Sequence, residues 1–124
     1  KPDIKVWSAE PETAAPTARS FAMGSPQLFP EWQASFVDGA GGQSVFPRMW
    51  ERMKPVVDDC VVVTLEETKK AMRLMAEKAR VIAEGAGALS VAAALTGRMG
   101  AGPIVAIVSG GNIDLKKFCE IVTE

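Results

Sequence analysis

The apolar positions of the chain fall into two kinds of pattern. Residues 59–63 centre on Val61-Val62-Val63, and Ile104-Val105-Ala106-Ile107-Val108 is a second short run, β-branched and without polar alternation. Runs of this kind read as parallel strands buried on both faces. Residues 4–9 read as a third strand from their β-branched and aromatic content, broken by Glu10-Pro11.

The second pattern steps at helical spacing. Residues 11–23 are alanine-rich and predicted helical. Pro16 argues against a clean helix before it, because proline is best tolerated in a first turn, and Gly24 is the stop. Residues 44–54 place Phe46, Met49, Trp50 and Met53 on one side of a short helix. Thr64-Leu65-Glu66-Glu67 is a capping box that opens a helix to about residue 83. Leu65, Thr68, Met72, Met75, Ala79 and Ile82 form its inner face, so its methionines are packing rather than metal ligands. Glu66 is expected to pair with Lys70, and Glu77 with Arg73 or Arg80. Residues 89–96 form a helix of small residues stopped at Gly97, and residues 114–122 a last helix with Leu115, Phe118 and Cys119 inward. Residues 25–43 have no sustained period and read as a long loop.

The order β-α-loop-α-β-α-α-β-α predicts an α/β fold, a small parallel sheet covered by helices. Three strands leave open sheet edges. An apolar strand directly after Lys1-Pro2-Asp3, with no initiating methionine, adds to the expectation of a piece of a longer chain.

Composition narrows the function. The 124 residues carry a net charge of −1, so no global field recruits nucleic acid or an anionic membrane. No apolar run approaches the roughly 18 residues of a membrane span. There is no histidine, which removes the usual neutral-pH acid-base group and the commonest metal ligand. Cys60 and Cys119 sit far apart in apolar contexts and are expected to be reduced core thiols, as in a cytoplasmic protein.

The candidate chemistry lies where the last apolar run ends, at Ser109-Gly110-Gly111-Asn112. Two glycines let backbone turn sharply and pass close to a ligand. Ligands of open α/β sheets bind beyond the carboxyl ends of strands. The same residues also read as an ordinary turn, with Asn112 or Asp114 capping the next helix. Asp38-Gly39-Ala40-Gly41-Gly42 reads as a flexible hinge. Glu84 lies between two apolar helices and reads as a dipole cap of the second.

Residues 105–115 (VAIVSGGNIDL), 81–88 (VIAEGAGA) and 5–11 (KVWSAEP), with Val37-Asp38-Gly39, resemble successive blocks of one family. This is the pyridoxal-phosphate fold type II family that contains the threonine/serine dehydratases and serine racemase. The resemblance covers nearly this whole chain and only the C-terminal portion of a complete family member. It implies that residues 1–124 are part of the large catalytic domain of a dehydratase with pyridoxal 5'-phosphate as cofactor. Ser109 would face the pyridine nitrogen, Gly110 and Gly111 would line the ring, and Gly39 and Glu84 would stand near its face and edge. A neutral hydroxyl cannot keep a pyridine nitrogen protonated as a carboxylate would, so the ring is a weaker electron sink. That suits expulsion of a β-hydroxyl from a hydroxy amino acid, giving a 2-oxo acid and ammonia.

Two departures accompany the resemblance. For the family's divalent cation, Glu10 and the Ala14 carbonyl match, but Pro16 stands where a carboxylate would be. The Schiff-base lysine and the Gly-rich phosphate cradle are absent; Lys1, Lys5, Lys54, Lys69, Lys70, Lys78, Lys116 and Lys117 all lie in terminal or exposed helical contexts. The chain alone is therefore expected to be inactive, its partners being the N-terminal part of the enzyme, a hydroxy amino acid and further copies in a homo-oligomer. A piece of serine racemase, or of a phenylserine or hydroxyaspartate dehydratase, would leave similar blocks. A non-catalytic binding or oligomerising module on the same scaffold is the alternative outside enzymes.

Overall fold

The computed structural model describes residues 3–124; Lys1 and Pro2, and with them the terminal setting expected of Lys1, lie outside the described residues. Strand β1 (Trp7–Pro11) pairs in parallel with β2 (Asp59–Val63), in a register running from Trp7 opposite Asp59 to Pro11 opposite Val63. β2 falls on the predicted residues. β1 begins later than predicted and runs through Glu10-Pro11 instead of breaking there. The Glu12 amide donates to the Val63 carbonyl at 2.8 Å. Alternate amides of a strand face opposite sides, so the Pro11 nitrogen faces away from β2 and its missing N–H costs this ladder nothing.

The helices are α1 (Pro16–Met23), α2 (Pro47–Met53), α3 (Leu65–Leu74), α4 (Gly85–Leu95) and α5 (Leu115–Thr123). α1 starts at its proline, and Gly24 ends it in the left-handed conformation (φ 71°) that glycine adopts without cost. In α2 the predicted apolar face is not a buried one: Trp50 alone is buried, edge-on to Phe21, while Phe46 and Met49 are exposed.

The capping box at α3 is present in both halves. The Glu67 amide donates to the Thr64 hydroxyl at 3.0 Å, and the Thr64 amide donates to the Glu67 carboxylate at 2.8 Å. α3 does not run to residue 83. It widens into a π turn over Met75–Ala79 and stops at Arg80, whose φ of 58° is left-handed. The wider turn carries the stripe off the core, so Thr68, Met72 and Met75 are buried as predicted but Ala79 and Ile82 are exposed. Lys69 rather than Lys70 meets Glu66, and it also meets Glu124. Arg80 donates to the Ala76 and Glu77 carbonyls rather than pairing with the Glu77 side chain.

The buried set joins Val61 and Val63 of β2 to Ala71, Met72 and Met75 and to Ala88, Leu89, Ala92 and Ala93 of α4. Small side chains let α4 lie close to α3 and the sheet. α5 is capped by Asp114, whose carboxylate accepts from the Lys117 amide at 3.0 Å. It buries Phe118 and Ile121; Leu115 and Cys119, predicted to face inward, are exposed. Cys119 is therefore a surface thiol and Cys60 a half-buried one, and both are unbridged.

The largest correction concerns residues 104–108. They form no strand, and among the described residues the sheet has two strands rather than three. Val105 is 89% and Ile107 74% exposed. An all-apolar strand needs paired neighbours and two covering layers. Among the described residues no strand pairs with this run. A bond from the Ser90 hydroxyl of α4 to the Ile107 carbonyl ties it down at 2.7 Å.

Candidate functional site

Three segments distant in sequence close on one another: the 3-10 turn Asp38–Ala40, residues 82–87, and residues 109–111. The turn at Arg80 redirects the chain after α3, Ala83 is fully buried, and Glu84 takes the N-cap position of α4. The Glu84 carbonyl accepts from Ala88 at 3.0 Å, beginning the helix, while its amide donates to the Gly110 carbonyl at 3.2 Å.

Glycine makes this closure possible. A Cβ on Gly87 would collide with the Gly110 backbone, and one on Gly110 with the Glu84 carboxylate. A Cβ on Gly111 would lie 2.6 Å from the Ile82 carbonyl oxygen, and one on Gly39 3.0 Å from the Ala86 methyl. None of these four has a positive φ, so they are required for close approach rather than for backbone angle.

Of the residues singled out in the sequence, Gly110 and Glu84 meet directly, while Gly111 abuts Ile82 and Ala83 and Gly39 abuts Ala86. Ser109 is exposed at the head of the group, Glu84 is half-buried, and Gly39 and Gly111 are exposed. The turn also performs its simpler duty, since Asp114 caps α5. The hinge expected of residues 38–42 is instead an ordered turn: Asp38 accepts from the Gly41 amide at 3.1 Å, and the Trp32 indole donates to the Gly41 carbonyl at 2.8 Å. A small cavity of about 110 Å³ lies beside it, lined by Trp32, Ser35, Val37 and Asp38 among others. Gly87 and Ala86 were the positions the sequence did not single out. The sequence pattern starts the helix of small residues at residue 89, whereas α4 starts at Gly85, so Gly87 lies inside it, where glycine costs about 1 kcal/mol against alanine and calls for a packing reason.

The Glu10–Ala14 pair lies at the other corner, between β1 and α1. Glu10 is buried, and its two oxygens accept from the Thr17 and Ala18 amides at 2.9 and 3.0 Å. The Cys60 thiol donates to the same carboxylate at 3.5 Å. Burial, and then the nearby Glu10 charge, push the Cys60 thiol up to about 12. Among the described residues no three His, Cys, Asp or Glu gather as a metal site.

The exposed Ser109 hydroxyl can donate or accept a hydrogen bond at the head of the glycine turn. The class defined is an α/β scaffold in which three separate segments close on that turn. Residues 1–110 match the family of pyridoxal-phosphate dependent enzymes, and the chain belongs to that family.

The relatives are consistent with this membership. The L-threonine dehydratase catabolic TdcB of Staphylococcus aureus (strain USA300) is 35% identical over 94 residues, covering 72% of this chain and 27% of the relative. The protein of the same name from strain N315 is 31% identical, covering 98% of this chain and 36% of its own length. Among solved structures, the threonine deaminase of T.th. superposes with a TM-score of 0.86 at 28% identity, covering 93% of this chain and 39% of that one. Maize serine racemase gives a TM-score of 0.84 at 31% identity, covering 97% and 39%. The fold is thus that of fold type II pyridoxal-phosphate enzymes, and the chain spans about a third of the length of these relatives.

Proposed function

We propose that residues 1–124 supply the C-terminal, cofactor-ring side of the catalytic domain of a pyridoxal-phosphate-dependent L-threonine/L-serine dehydratase. The carrying observation is the convergence of Gly110, Gly111, Gly39 and Glu84 behind an exposed Ser109. The names of the relatives supply the substrate class, a hydroxy amino acid.

When bound, the cofactor acidifies the substrate's α-hydrogen, so that the β-hydroxyl can leave as water. Ser109 would meet the ring nitrogen through its neutral hydroxyl and leave that nitrogen unprotonated. Gly110 and Gly111, which carry no side chains, would line the ring. Glu84, held at the N-terminal end of α4, would stand near the ring edge and is itself held by the hydrogen bond from its amide to the Gly110 carbonyl. The covalently linking lysine and the phosphate cradle would come from the rest of a longer protein, so the chain alone would be inactive. Homo-oligomerisation is part of this reading, supported by exposed apolar residues such as Val105 and Ile107. Unbridged cysteines are in keeping with a cytoplasmic setting. Among the described residues no helix is long and apolar enough to cross a membrane.

The test is 2-oxo acid release by the intact protein that carries this chain, offered L-threonine, L-serine and bulkier hydroxy amino acids. Release from threonine or serine that Ser109→Ala reduces supports the reading; no 2-oxo acid from any of them overturns it. The resemblance to maize serine racemase favours one second reading, racemisation, which D-serine formation without 2-oxo acid would establish.

A further inference from the structure

We propose that the corner between β1 and α1 is closed by an internal carboxylate cap in place of a bound divalent cation, so that the protein's stability responds to neither magnesium nor calcium. This holds whichever amino acid the whole protein acts on.

The first turn of α1 has amide donors that need acceptors. Pro16 contributes none, and Ala15, at the N-cap position, has no side chain to accept from the rest. Glu10 fills that role from the neighbouring strand, one oxygen to Thr17 and the other to Ala18. The bonds are charge-assisted and buried, and the positive end of α1 balances the carboxylate. A cation placed here would face that same positive end. It would also have to compete for oxygens already bonded to two amides and approached by the Cys60 thiol. Hard cations take about six to eight oxygens, and a proline at position 16 adds no side-chain ligand. The arrangement that would hold a cation in a relative is therefore converted here into a helix cap.

The experiment is elemental analysis and thermal unfolding of the intact protein carrying this chain, in EDTA, in magnesium and in calcium, for the wild type and for Glu10→Gln. Substoichiometric magnesium and calcium are expected, with one melting temperature in all three conditions. Glu10→Gln, which keeps only one acceptor oxygen, is expected to melt lower by the same amount in each. Stoichiometric metal, or a melting temperature of the wild type that rises with either cation, overturns the proposal. The wild-type measurement decides even where Glu10→Gln fails to fold.

Discussion

The Glu84 amide donates to the Gly110 carbonyl at 3.2 Å, while the Glu84 carboxylate occupies the space a Gly110 side chain would need. One residue thus fixes the glycine turn through its backbone and crowds the Gly110 position with its side chain. The same turn presses on Gly87 of α4 from the other side.

These two glycines should respond differently to substitution. In Gly87→Ala the new methyl meets backbone, which must shift, at a cost of about 1–3 kcal/mol in unfolding free energy. In Gly110→Ala it meets the end of a flexible carboxylate, which can swing away, so the cost is smaller, under about 1 kcal/mol. Gly110→Ala should instead weaken cofactor binding by roughly tenfold, equivalent to about 1.4 kcal/mol. Denaturant unfolding and cofactor titration of the intact protein separate the two effects.

Loss of the α3 cap should be felt throughout the core, because α3 carries Ala71, Met72 and Met75 into it. Thr64→Ala removes the acceptor for the Glu67 amide and should destabilise by about 1 kcal/mol. Glu67 is also held by Arg98, which in addition donates to the Val62 carbonyl. Arg98→Ala should therefore lower the melting temperature too, and less than additively with Thr64→Ala.

The cysteines should separate cleanly in a thiol-modification time course. Cys119 is exposed and should react first. Cys60, pushed up to about 12 mainly by burial, should stay protonated at neutral pH and react only on unfolding. Its folded value lies above the ordinary 9.0, so folding disfavours the thiolate. The stability it contributes is complete below pH 9 and falls as pH rises from there toward 12. Cys60→Ala should flatten that alkaline decline of melting temperature.

Elements with local causes were legible in the sequence. The capping box at Thr64 and the stop at Gly24 depend on neighbouring residues and fall where predicted, and so does β2, whose valine run finds its partner in β1. Failures came where a partner outside the segment decides. Residues 104–108 have the composition of a buried strand, but pairing and cover belong to neighbours, and here Val105 and Ile107 face solvent. The π turn after α3 carries no clear sequence mark, and it displaced Ala79 and Ile82 from the expected face. At the candidate site, Ser109, Gly110 and Gly111 were marked by their place at the end of an apolar run, while their cofactor roles, and those of Gly39 and Glu84, came from resemblance. Gly87 meets Gly110 from a separate segment of the chain, and that contact became visible only once the segments were placed together.

The role given to Ser109 is tested most directly by nitrogen-15 resonance of ring-labelled cofactor bound to the intact protein. A hydrogen-bonded but unprotonated ring nitrogen is expected in the wild type, and in Ser109→Asp a shift into the range of the protonated ring. An identical resonance in the two proteins would contradict the placement of Ser109 against the ring.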